Sequence, residues 1–238
     1  MSEWTPRRFW SAAAAVPQAG GFAVCLDGRP VRTPAGAALI LPTAALAAAI
    51  AAEWDAQGPE VRPATMPLTR SANSAIDKVI PQRAAVADEV AGYGACDLIC
   101  YRADAPAALA ARQAAAWDPL VDFARETFAA PLNVTCGVMP AAQPAASLER
   151  LAAAVHAADP FALTALSDLV ALSGSLVIGL AVLSGREAAA LWPLSRIDED
   201  WQAEVWGADD EAAEAAARRA AAFLDAARFL VLSRTAGA

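Results

Sequence analysis

Between Gly21 and Pro42 the chain alternates short apolar runs with turn-forming residues: "GFAVCL", then "RPVRT", then "AALILP". Asp27-Gly28 separates the first pair, and Ala35-Gly36 marks a second turn. Gly tolerates the positive φ of tight hairpins, so the pattern predicts a small antiparallel meander, with a further strand near Arg8 to Ala13. Two or three strands bury no face by themselves, so this sheet has to pack on helices.

From Thr43 onward the apolar period lengthens to that of helices. Thr43 is placed to cap "AALAAAIAAEWDAQ", which stops at Gly58-Pro59. Further helices are expected over Leu68 to Val79 and from Pro81 through "QRAAVADEVAGYG". "CDLICYRA" (96–103) reads as a short strand or a tight crossover. A long helical segment follows Pro106, with Pro119 as a break or restart, and "PLNVTCGVM" is extended. "PAASLERLAAAVHAA" is a helix, and Asp159 to Gly185 holds one or two more. Arg186 to Trp206 reads as one helix stopped by Gly207, and Asp209 to Ser233 as the last. The class is α+β: a small N-terminal antiparallel β-containing domain packed with helices, residues 1–103, and a larger all-helical C-terminal domain, residues 104–238.

Composition sharpens this. Of 238 residues 57% are apolar, much of that alanine, the best helix former, so closely approaching helices are expected. The net charge of −8 argues against a nucleic-acid binder and against a polybasic membrane anchor. The longest strongly apolar run, Leu169 to Leu183, is short for a span and reads as a buried core helix. The N-terminus does not read as a secretory signal, so Cys25, Cys96, Cys100 and Cys136 are expected to be reduced thiols.

Catalytic constellations are sparse. The one lysine, Lys78, follows Asp77, which excludes a P-loop, and "GYGACD" is an incomplete dinucleotide fingerprint. The one histidine, His156, is the only available imidazole base, and it sits near a helix end where it can bond the last carbonyls. Cys96 and Cys100 would share a helical face, but no second pair stands at zinc spacing. No metal and no cofactor are expected. Paired carboxylates in "DEDWQAE" leave a carboxylate-pair hydrolase open.

The excess charge is local. From Ile197 to Ala217 there are eight acids and no base, and the remaining residues balance. On a helix, Asp198, Trp201, Gln202 and Val205 lie along one side, and Glu199, Gln202 and Trp206 line the next strip. The tryptophans read either as core or as part of a contact. The carboxylates repel one another, and a basic surface on another molecule would relieve that repulsion.

In series, "RRFW" (7–10), "LDGRPVRTPAG" (26–36), "LAAAIAAEWDAQ" (46–57), "MPLTRSANSAID" (66–77) and "CDLICYRA" (96–103) resemble the mitochondrial and α-proteobacterial ATP12 family. So do "QAAAWDPLVDFA" (113–124), "GSLVIGLAV" (174–182) and "DEDWQAEVWG" (198–207). The resemblance implies an assembly chaperone, not an enzyme. It would bind the free α subunit of F1-ATPase, shield the surface that later meets β, and need no nucleotide. It implies a β-containing N-terminal domain joined to a helical one. Without an Arg- and Ser-rich transit segment, the bacterial cytoplasm is the expected location.

An unassembled subunit exposes an apolar interface, so its chaperone needs an apolar contact with a polar rim. Asp198, Glu199, Asp200, Trp201, Gln202, Glu204 and Trp206 are the candidate partner-binding residues. Trp54, Asp27 and Gly28 are expected to be structural. The competing expectation is a small-molecule binder or enzyme with an inter-domain pocket lined by Arg70, Asn73, Asp77 and Tyr101. A subunit that stays in its complex is a third reading.

Overall fold

Asp27 and Gly28 take φ of +47° and +80°, the paired positive values of a tight hairpin turn. The structure, a computed structural model, describes residues 7–137, 139–207 and 209–234. The sheet begins with β1 (Ala13–Gln18) and β2 (Gly21–Leu26), antiparallel from Ala13↔Leu26 to Gln18↔Gly21. β3 (Arg29–Pro30) returns beside β2, and β4 (Ile40–Leu41) pairs with its other end through Phe22↔Leu41. The extra strand lies at 13–18 rather than near 8–13. Alanine has weak strand preference, so "AAAVPQ" carries no strand signal; pairing with β2 makes it one. The Asp27 carboxylate accepts from the backbone N–H of Ser11 (2.9 Å) and Ala12 (3.0 Å), and these bonds hold it below the usual carboxylate range.

α1 (Ala44–Asp55) is capped as expected: Thr43 Oγ1 accepts from Leu46 N at 3.0 Å. The same hydroxyl donates to Leu232 O at 2.5 Å. Leu46, Ala47, Ile50 and Ala51 form its buried face, packed on β1 and β2. α2 (Pro67–Ser74) continues through one wide turn, Ala75–Val79. Trp54 stands edge-on to Trp10 at 5.2 Å, over Leu26, Val61 and Met66. Trp54→Ala is therefore expected to lower stability by about 2 kcal/mol, less than for a fully buried tryptophan. Urea unfolding measures it, and an unchanged midpoint would remove Trp54 from the structural set.

α3 (Arg83–Gly92) leads into two tight turns, Tyr93–Cys96 and Leu98–Cys100, and then β5 (Tyr101–Arg102). α4 (Ala107–Phe128) runs unbroken through Pro119. One face of it buries Leu109, Gln113, Trp117, Leu120, Phe123 and Ala124, and that packing holds the helix past the missing N–H. β6 (Thr135–Cys136) pairs in parallel with β5. α5 (Ala145–His156), α6 (Pro160–Ser173) and α7 (Leu176–Leu183) follow.

α6 and α7 are two helices because Gly174 takes φ +72° and Ser175 Oγ caps α7 through Ile178 N at 3.1 Å. Residues Leu176 to Val182 are all buried, and a Cβ on Gly179 would stand 2.6 Å from Val170 Cγ2. The close α6–α7 approach is what "GSLVIGLAV" encodes. Among the described residues no helix is long and apolar enough to cross a membrane. The single helix expected over 186–206 is three pieces: α8 (Ala188–Leu191), a tight turn Trp192–Arg196, and α9 (Ile197–Trp206). Pro193 supplies no N–H there, so the α-helix gives way to the turn. α10 (Asp210–Ser233) is the last helix among the described residues.

By compactness the chain forms two units. The first takes 1–83, 160–165 and 228–238 and holds the sheet, α1 and α2. The second takes 84–159 and 166–227 and holds α4, α5, α7, α8 and α9.

Candidate protein-binding surface

α9 is a helix with an unusually wet surface: of its ten residues only Ile197 is buried. Trp201 is half-buried, while Val205 is 56% and Trp206 79% exposed. Trp206 thus belongs to the surface and not to the core. Scattered exposed apolar residues are ordinary, but two large ones in the last turn of an acidic helix are informative. Gly207, at φ +95°, turns the chain immediately after them.

The carboxylates of α9 divide by partner. Asp198 Oδ1 receives the Gln113 amide at 2.5 Å. Glu199 takes Arg196 at 2.6 Å, and Glu204 receives Arg112 NH1 on both oxygens at 2.8 Å. Asp200 is exposed, as is Gln202. At the start of α10, Asp209 caps Glu211 N at 2.9 Å, and Asp209, Asp210, Glu211 and Glu214 are all exposed. All seven predicted residues lie on α9, but Asp198, Glu199 and Glu204 already contact groups of the same chain. Arg112 has no motif around it, and Gln113, the first residue of "QAAAWDPLVDFA", gives no local sign that it meets α9. They stand in an alanine-rich stretch and meet α9 only through the fold.

Beside α9 lies an open concavity of about 580 Å³ lined by Cys96, Tyr101, Arg196, Glu199, Gln202 and Arg219 among others. Arg196 is held by Glu199, and Arg219 donates to Leu172 O at 2.8 Å. Its floor includes Leu98, next to Asp97. Asp97 is wholly buried; Val177 N donates to its Oδ2 at 2.9 Å and Ile99 N to its Oδ1 at 3.2 Å. Burial outweighs these bonds and pushes its carboxyl up to about 6. Burial, and then the Asp97 charge, push the Cys100 thiol up to about 12, so it is not a nucleophile.

The other sequence candidates are dispersed over the fold. Cys96 is exposed on a tight turn while Cys100 is buried, so the two do not share a helical face. Asp77 accepts from Thr33 Oγ1 at 2.6 Å and from Ala35 N at 3.0 Å, fastening the loop after β3. Asn73 Oδ1 is buried without a hydrogen-bond partner. His156 Nε2 lies 2.9 Å from Asp88 Oδ1. Among the described residues no three of His, Cys, Asp and Glu gather as a metal site.

The sequence model described as "ATP12 chaperone protein" matches residues 7–125. The crystal structure of Atp12 from Paracoccus denitrificans is 54% identical, covers 98% of this chain and 100% of its own, and superposes with a TM-score of 0.94. A protein of Agrobacterium tumefaciens, described as a candidate chaperone, is 38% identical over 96% of this chain and 87% of its own, with a TM-score of 0.92. With the family's sequence model matched over half its length and a solved relative superposing over nearly all of it, the chain belongs to the ATP12 chaperone family.

Proposed function

We propose that this protein captures the free α subunit of F1-ATPase in the bacterial cytoplasm and shields the surface on which β later docks. Val205 and Trp206 form the apolar contact, and the carboxylates of α9 and of the start of α10 form its rim. The observation that carries this reading is the exposure of Trp206, 79%, at the tip of a helix whose surroundings are acidic. Tryptophan is among the residues enriched in binding hot spots. A client with Arg or Lys at its rim would be steered by this surface. Family membership supports an assembly chaperone.

Co-expression of this protein with its own organism's α subunit, without β, tests the reading; β alone is the control. Soluble α that co-purifies and is released by β is the expected result. Aggregated α, as in the absence of this chain, would refute the client assignment. With capture in hand, Trp206→Ala is expected to weaken it about tenfold or more, and Glu204→Lys to weaken it through reversed charge, both with an unchanged urea midpoint. Undiminished capture by both variants would move the contact away from α9.

A further inference from the structure

Gln113 is 2% exposed, on the inner face of α4, and both ends of its amide are used. Its Oε1 accepts from Ala103 N at 2.7 Å, and its Nε2 donates to Asp198 Oδ1 at 2.5 Å. The backbone N–H at Ala103 leaves no choice of amide orientation: the oxygen faces the donor, so the NH2 faces the carboxylate.

This contact matters because α9 has little else to hold it. Apolar burial in α9 is confined to Ile197 and part of Trp201. The Arg112–Glu204 pair is 40% and 56% exposed, and such surface pairs contribute little. Trp117 Nε1 donates to Leu194 O at 2.7 Å, which anchors the turn before α9 rather than α9 itself. The Gln113–Asp198 bond is buried on the Gln side and charge-assisted, so it is the strongest polar tie along the helix.

We propose that Gln113 is a positioning residue for the client-binding surface. It touches no client. It sets the pose of α9, and so of Val205 and Trp206 at its far end, by holding Asp198. Asp198 is accordingly used inside the protein, and the rim facing the client is made by the other carboxylates of α9 and the acids at the start of α10. The inference rests on the reading of α9 as the client contact.

Gln113→Glu tests it, because the variant keeps an acceptor for Ala103 N and sets a second carboxylate against Asp198. Hydrogen exchange of the α9 amides is expected to rise about tenfold while α6 and α7 keep their protection. Capture of the α subunit is expected to fall by about the same factor. The double variant Gln113→Glu with Asp198→Asn exchanges the two ends: the new amide donates to the new carboxylate, and Ala103 N still has its acceptor. Both α9 protection and capture are expected to return. Unchanged α9 exchange in the single variant would overturn the proposal. So would a double variant that regains protection but not capture, since the Asp198 carboxylate would then itself meet the client. If the unaltered protein captures no α subunit, the proposed function fails, while the exchange data still decide whether Gln113 positions α9.

Discussion

Glu53→Ala is expected to lower the stability of the protein by about 3 kcal/mol, because it strands three donors at once. The carboxylate of Glu53, in the last turn of α1, reaches across to the start of α2. It accepts from Leu68 N at 2.8 Å, Thr69 N at 2.8 Å and Thr69 Oγ1 at 2.7 Å. α2 has no cap of its own: Met66 at the N-cap makes no side-chain bond, and Pro67 lacks an N–H. A helix start leaves its first N–H groups unpaired and carries partial positive charge, so a carboxylate there serves as both acceptor and counter-charge. Glu53→Gln retains one acceptor but turns an NH2 toward the other donors, and about half the loss is expected. Urea unfolding with an unchanged m-value is the measurement. A loss below about 0.5 kcal/mol for Glu53→Ala would show that water replaces the carboxylate without cost.

The second large effect is a dependence on pH. Asp97 is buried, and its carboxyl holds a proton up to about pH 6, against 3.8 for the free side chain. Between those values the unfolded chain has released the proton and the folded one keeps it. The unfolded state thus binds fewer protons, and stability falls as pH rises through this window. The contribution is present in full below about pH 4, is lost by about pH 6, and is flat above. Asp97→Asn has no proton to lose. The stability of the parent relative to that variant is expected to drop by about 2 kcal/mol from about pH 4 to about pH 7. Taking the difference cancels the many surface acids, whose mutual repulsion changes with pH in both proteins alike. A difference that is flat across the window would mean that the hydrogen bonds from Ser175, Val177 and Ile99 hold the charge as well as water does.

The Glu53 and Asp97 contacts explain why certain strings, far apart in the sequence, occur in one chain. "EWDAQ" and "MPLT" belong together because Glu53 caps α2 while Gln57 donates to Thr65 Oγ1 at 3.1 Å and accepts from Arg62 N at 2.7 Å. "CDLIC" and "GSLVIG" belong together because Asp97 accepts from Val177 N, at the start of α7. In each case an acid from one segment caps a helix of another, and no window of local sequence contains both halves.

Where the physics is local, residues alone determined the outcome. Thr43 caps α1, Asp27-Gly28 makes the hairpin, Gly207 ends α9, and the family resemblance rests on ordered strings of such signals. The concentration of acid around Ile197 to Ala217 was equally plain from composition. Tertiary structure decided what depends on partners distant along the chain. Packing carries α4 through Pro119, and strand pairing turns an alanine-rich stretch into β1. Burial separates Trp201 from the exposed Trp206, and Arg112 and Gln113 set which carboxylates of α9 are paired within the chain. Capping and turn geometry act over three or four residues, so sequence spacing specifies them. Burial and charge pairing are set by whatever the fold brings alongside, and for α9 that neighbour lies 85 residues earlier, at Gln113.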